Sequence, residues 1–266
     1  MDLPVESSLD QILSQLTFAN PPGLPRKILF WGEGAGEVSS YIAGWMAGQG
    51  MNIIVLDGAN RFDPYVVSSF AKKALIPPES LLKRIRIARA FTCYQMATLV
   101  EEKLIALLRR EEAISQMHKP RVILLGPITT FLDEDVLERE SRLLFERMLR
   151  KMEEMATGGV SFYLFQPNPP FPKVGMSRND CRTDTRNPRG TRGLVDSQRA
   201  FLSRRLFQIS DWVWRMSLDD EGVKLILEKQ LTKIADCGMR KLIPLTLSLS
   251  PQGRGWGEGR FGHLVI

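Results

Sequence analysis

Four short apolar runs, separated by amphipathic stretches of ten or more residues, give the chain its first legible order. Residues 28–31, 51–56, 122–125 and 160–165 are almost continuously apolar and short, the pattern of strands buried on both faces. Between them, residues 39–49, 64–75, 94–110 and 134–156 carry apolar side chains at helical spacing. In the third of these helices Met96, Ala97, Val100, Leu104, Leu107 and Leu108 repeat every three or four positions. In the fourth, Leu137, Leu144, Met148, Met152 and Met155 fall along one side and read as core filling. Pro77-Pro78-Glu79-Ser80 ends one helix and starts a short one over 81–85, and 85–91 reads as a further strand. Strands alternating with helices predict an α/β domain: a mostly parallel sheet with helices on both faces. Right-handed crossovers then place the functional edge at the C-terminal ends of the strands.

Beyond residue 166 the pattern breaks. Residues 167–194 are rich in Pro, Gly, Arg and Asn, far longer than an ordinary connection, and predict a mobile or functional basic loop. Pro188, Gly190 and Gly193 are expected to keep it from forming a stable helix. Amphipathic order resumes over 202–216 and 223–227, with Asp219-Asp220-Glu221-Gly222 as a hairpin turn between C-terminal antiparallel strands. The predicted organisation is a polar lead-in over 1–27, with a short helix at 9–16, and one core domain over 28–243. The tail, 244–266, is expected to be disordered because 248–262 offers little to bury, and it resembles a translated intergenic repeat.

Composition narrows the picture. At 266 residues and 44% apolar the chain can build one sizeable core. There is no charged start followed by an apolar stretch and cleavage site, and no run approaching eighteen uncharged apolar residues, so a soluble cytoplasmic protein away from membranes is expected. Three cysteines (Cys93, Cys181, Cys237) and two histidines (His118, His263) form no metal-ligand spacing. No metal site or disulfide framework is therefore expected, and the thiols read as reduced. Net charge is +6, and residues 173–205 hold nine basic against three acidic side chains; the remainder, 27 against 27, is neutral.

The candidate chemistry lies just after the first strand. Gly32-Glu33-Gly34-Ala35-Gly36 reads as a tight turn leading into a helix that opens at Ser39, the layout of a phosphate-binding loop. A working loop of that kind follows its last glycine with Lys, which reaches the terminal phosphates, and then Ser or Thr, which holds Mg²⁺. Here those places hold Glu37 and Val38. A carboxylate repels a triphosphate and an isopropyl group ligates no metal, so no nucleotide cofactor is expected. Ser39 and Ser40 read as helix caps, and Asp133-Glu134-Asp135 as acids favoured by the dipole of a helix start.

Longer blocks carry a family resemblance. Residues 54–64 (Ile-Val-Leu-Asp-Gly-Ala-Asn-Arg-Phe-Asp-Pro) and 88–95 (Ala-Arg-Ala-Phe-Thr-Cys-Tyr-Gln) resemble a strand ending in Asp-Thr-Glu, then Phe-x-Pro, then an Ala-Arg-Ala-Phe block. Those features belong to the RecA/RadA recombinase superfamily, the P-loop ATPases of homologous recombination. Residues 122–132 resemble the family's Walker B strand, 161–166 the strand whose terminal glutamine, here Gln166, senses nucleotide, and 199–229 the closing strands. The resemblance implies a RecA-like core with three catalytic parts lost: Glu37 and Val38 replace Lys and Thr, Ala59 stands for the water-activating Glu, and Gly126 for the Walker B Asp. It also implies a DNA-facing loop after Gln166, where the arginine-rich run lies. Arg178, Arg182, Arg186, Arg189, Arg192, Arg199, Arg204 and Arg205 are the candidate phosphate contacts, since a guanidinium donates two parallel hydrogen bonds and stays charged. The expected partner is DNA, single strands in preference to duplex, with a recombinase or DNA polymerase protein as the alternative and oligomerisation open.

Two other readings stay open at this level. The glycine turn, with Asp57 about twenty residues later to bind ribose hydroxyls, also suits a dinucleotide or S-adenosyl cofactor. A fold stripped of catalysis also suits a scaffold that binds a recombinase or polymerase.

Overall fold

The apolar runs become strands because both faces of each are covered. In the computed structural model, which describes residues 26–114, 120–167, 191–219, 222–230 and 245–248, every residue of β1 (Lys27–Gly32), β2 (Ile53–Asp57), β4 (Arg121–Leu125) and β5 (Ser161–Gln166) is buried. β3 (Ile85–Arg89) lies at the sheet edge and is mostly exposed. β6 (Trp212–Asp219), β7 (Gly222–Gln230) and β8 (Leu245–Ser248) complete one sheet in the order β3-β2-β4-β5-β1-β6-β7-β8. Strands β1 to β6 are parallel, and β7 runs antiparallel to both β6 and β8. The hairpin read at Asp219–Gly222 is the β6–β7 connection.

Period-two alternation divides the core into two layers. Ile28, Phe30, Val55, Ile123 and Phe165 face α1 (Ala35–Gly48), α2 (Pro64–Lys73) and α3 (Pro78–Leu82). Leu29, Leu56, Val122, Leu124 and Leu164 face α4, α5 (Glu138–Thr157) and α6 (Thr191–Ile209). Helix α4 is continuous from Cys93–Thr98 through a π-helical turn, Leu99–Lys103, to Leu104–Ile114. Helices on both faces of a mostly parallel sheet are thus as expected from the alternation.

Several boundaries differ, each for a local reason. Helix α1 starts at Ala35, four residues before the expected opening, because Gly34 takes a left-handed conformation (φ 77°) that lets the chain turn within two residues. Ser39 and Ser40 are therefore not caps; they lie inside α1, and both hydroxyls donate to the Gly36 carbonyl at 2.7 and 2.9 Å. Helix α5 begins at Glu138, so Asp133-Glu134-Asp135 forms a turn outside the helix, Asp133 Oδ1 accepting from the Asp135 amide at 3.0 Å. Leu137 is correspondingly 76% exposed, and Phe145 and Leu149 join Met148 and Met152 in the buried stripe. Helix α6 begins at Thr191 and includes Gly193, which was expected to break it. The packing of Leu202 and Leu206, neither exposed, outweighs the cost of about 1 kcal/mol for one helical glycine. Strand β8 pairs four residues of the expected tail with β7. The rest of the tail and the lead-in through residue 25 lie outside the described residues. Among the described residues no helix is long and apolar enough to cross a membrane.

Candidate functional site

The C-terminal ends of the parallel strands gather the glycine turn after β1, the loop from Gly58 after β2 and the loop from Gly126 after β4. β1 ends at Gly32 and α1 starts at Ala35, so the connection is Glu33-Gly34 alone. Gly32 has φ 127°, and a Cβ there would meet the Met216 carbonyl oxygen at 2.0 Å, so only glycine lets β1 lie this close to β6. Gly36 is buried in the first turn of α1, where a Cβ would lie 3.0 Å from Arg61 Cβ. The start of the helix is thus packed against the loop after β2, and two connecting residues leave no loop to wrap a phosphate chain. Glu37 points out exposed, and Val38 is buried in the α1–α2 layer.

The loop after β2 is built around Asp57. Its carboxylate is fully buried and accepts from the amides of Ala59, Arg61 and Phe62 at 3.2, 3.2 and 3.0 Å, with Arg89 Nε at 3.7 Å. Ser40 Oγ accepts from the Asp63 amide at 2.9 Å, and Asp63 caps α2 through the Tyr65 amide. This geometry removes the support for the dinucleotide reading. In the dinucleotide-binding order the acid-bearing second strand adjoins the glycine strand, whereas here β4 and β5 intervene. Three strand spacings put β2 about 14 Å from β1, and Asp57 is committed to its own loop.

Ala59 and Gly126, on the loops after β2 and β4, touch one another. Gly126, which follows β4, has φ 66°, and a Cβ there would lie 2.6 Å from Ala59 Cβ and 2.7 Å from Thr129 Oγ1. The neighbouring Gly58 amide donates to the Leu125 carbonyl at 2.8 Å, and the Gly126 amide to that of Phe165 at 2.7 Å. Backbone packing fills this place. Gln166, at the end of β5, is 1% exposed, and its Oε1 accepts from the Ile128 amide at 3.3 Å. The side chain links two strand-end loops of the protein itself. Among the described residues, no three His, Cys, Asp or Glu side chains are grouped to hold a metal.

Of the candidate arginines, Arg178, Arg182, Arg186 and Arg189 lie outside the described residues, and Arg192 falls in the first turn of α6. Arg204 is exposed on α6, and Arg199 is half-buried with an unpaired Nε. Arg205 is engaged within the protein: it makes a bidentate pair with Glu146 on α5, at 2.5 and 2.8 Å, and donates to Gln208 at 2.7 Å. The guanidinium holds the Glu146 carboxyl below the usual carboxylate range. Two features that sequence reasoning missed tie α6 down further. Gln198 Nε2 donates to the Phe131 carbonyl at 2.6 Å and to Ser141 Oγ at 3.1 Å, and Arg142 lies over the Phe201 ring at 4.3 Å. Nothing in the spacing of these residues signals that pairing, because each bond spans more than fifty residues of chain.

No family model matches this chain, and no curated protein matches it. The site must therefore be read from its own geometry. A third missed cluster lies on the α6 side of the sheet, where Trp31 Nε1 donates to Glu228 Oε2 at 2.9 Å and Arg215 lies 3.2 Å from the other carboxylate oxygen. Burial pushes the Glu228 carboxyl up, against the pull of the indole and the guanidinium.

Proposed function

We propose that this chain is a RecA-like domain without ATP hydrolysis, which acts in DNA repair, recombination or damage tolerance by binding nucleic acid through its arginine-rich segment. The observation that carries the reading is the Gly126–Ala59 packing. At the strand ends where phosphoryl transfer needs a metal holder and a base, two small residues meet with no room for a carboxylate. The two-residue turn at Glu33-Gly34 supports the same conclusion for the phosphate chain. The arginine-rich run supports the nucleic-acid half, because in sequence it comes after β5, the strand that ends in Gln166.

Fluorescence anisotropy of labelled single- and double-stranded DNA against salt, without nucleotide, tests this reading. The comparison is wild type with an Arg182/Arg186/Arg189/Arg192→Ala variant. Counterion release from four phosphate contacts gives a log–log slope near roughly −3 on single strands. The variant loses that slope. Absence of binding by the wild type at low salt overturns the nucleic-acid reading and favours a protein scaffold.

A further inference from the structure

Outside residues 173–205 the chain is neutral overall, yet that balance conceals a separation of charge. Residues 64–88 contain Lys72, Lys73, Lys83, Arg84 and Arg86 against Glu79 alone, while residues 1–63 hold seven acids against three basic side chains. The fold brings the five cations to one corner. Helix α2 ends at Lys73, and Phe70 and Ile76 on either side of that end lie beside Gly48, at the end of α1. Arg84 Nη1 donates to the Gly50 carbonyl at 2.8 Å, which uses one of the five guanidinium donors. All five cationic side chains are exposed. Lys83, Arg84 and Arg86 line a crevice of about 20 Å³ with Asn52 and Pro120, and no carboxylate lines it.

We propose that this corner, at the N-terminal ends of β2 and β3, is a second phosphate-binding surface, taking the backbone of nucleic acid. The inference extends the nucleic-acid reading above but rests on different residues. The crevice admits an oxygen-sized group. Five cations against the single acid Glu79 suit a polyanion of evenly spaced charges.

The test is the salt dependence of anisotropy on a fluorescein-labelled 30-nucleotide single strand. Three proteins are compared: wild type, Lys72→Ala/Lys83→Ala/Arg86→Ala, and the four-arginine variant. Removing three contacts lowers the magnitude of the slope by about 2. A Lys83→Arg/Arg86→Lys variant, which conserves charge, keeps the wild-type slope. If the triple variant loses its cooperative melt, Lys83→Ala alone is measured, with an expected slope change of about 0.7. An unchanged slope in folded corner variants overturns this inference, and loss in the four-arginine variant then leaves the proposed function standing. Loss in the corner variant alone upholds the corner and strikes the assignment to the arginine run. Tighter binding of a poly-glutamate peptide than of DNA, weakened by the same triple substitution, overturns the corner as a nucleic-acid surface.

Discussion

Replacing Gly126 with alanine probes whether the position proposed above as that of an absent metal holder is filled. The residue sits at φ 66°, and the added methyl would lie 2.6 Å from Ala59 Cβ, 2.7 Å from Thr129 Oγ1 and 2.9 Å from the Ala59 amide nitrogen. Holding a side chain in the left-handed region costs about 1–2 kcal/mol. Forcing the Ala59 loop outward adds about 1–3 kcal/mol of overpacking. The sum, about 2–5 kcal/mol, corresponds to a fall in Tm of about 4–20 °C for a chain of this size. Gly50 supplies the control. It has φ 84° but nothing within 4 Å of an added Cβ, so Gly50→Ala carries the backbone term alone, about 1–2 kcal/mol. Thermal and urea melts of both variants, followed by circular dichroism, separate the two terms. If Gly126→Ala is no less stable than Gly50→Ala, the Ala59 loop yields freely. Packing against Ala59 then does not close the space beside Gly126. Gly126→Asp carries the same steric load plus a buried carboxylate, and restores no Mg²⁺-dependent nucleotide binding by calorimetry.

Two further outcomes follow from the same geometry. Glu37→Lys with Val38→Thr, which installs the Lys-Thr pair of a working phosphate loop, yields no ATP binding in calorimetry, because a two-residue turn cannot encircle a phosphate chain; tight binding would show a cradle able to take phosphate. Glu146→Gln flattens the acid limb of stability. The Glu146 carboxyl is held below its usual range, first by the Arg205 hydrogen bond, so the unfolded chain binds the proton first as pH falls. The stabilisation is present above the ordinary carboxylate pKa and is lost as pH drops through the lower folded-state value. With both side chains about a third exposed, the difference at neutral pH is about 1 kcal/mol or less. A wild-type melt no more acid-sensitive than the variant's would refute the pairing.

The corner proposal shows where counting charges along a chain misleads. Summed over everything outside the arginine run, the charge vanishes, and from that sum alone no second cationic surface is expected. Three elements adjacent in sequence, α2, α3 and the start of β3, are also adjacent in space, so their five cations stay together. The balancing acids lie elsewhere. A windowed count over 64–88 would have found them.

By itself the sequence determined the class of fold, because burial on two faces demands continuous apolar strands and burial on one demands helical spacing. Both signals are local and survive without knowledge of neighbours. It also determined which residue types stand at the strand ends, since Glu37, Val38, Ala59 and Gly126 are read directly. Tertiary structure alone decided what packs around them. The order that puts β4 and β5 between β1 and β2, the contact of Gly126 with Ala59, and the commitment of Asp57 to three amides of its own loop all join residues through the sheet. It likewise decided that Arg205 pairs with Glu146 and that Gln198 bonds the Phe131 carbonyl. Such pairings depend on which helix faces cross, and a hydrogen bond between positions 59 or 67 residues apart leaves no periodic trace in the chain.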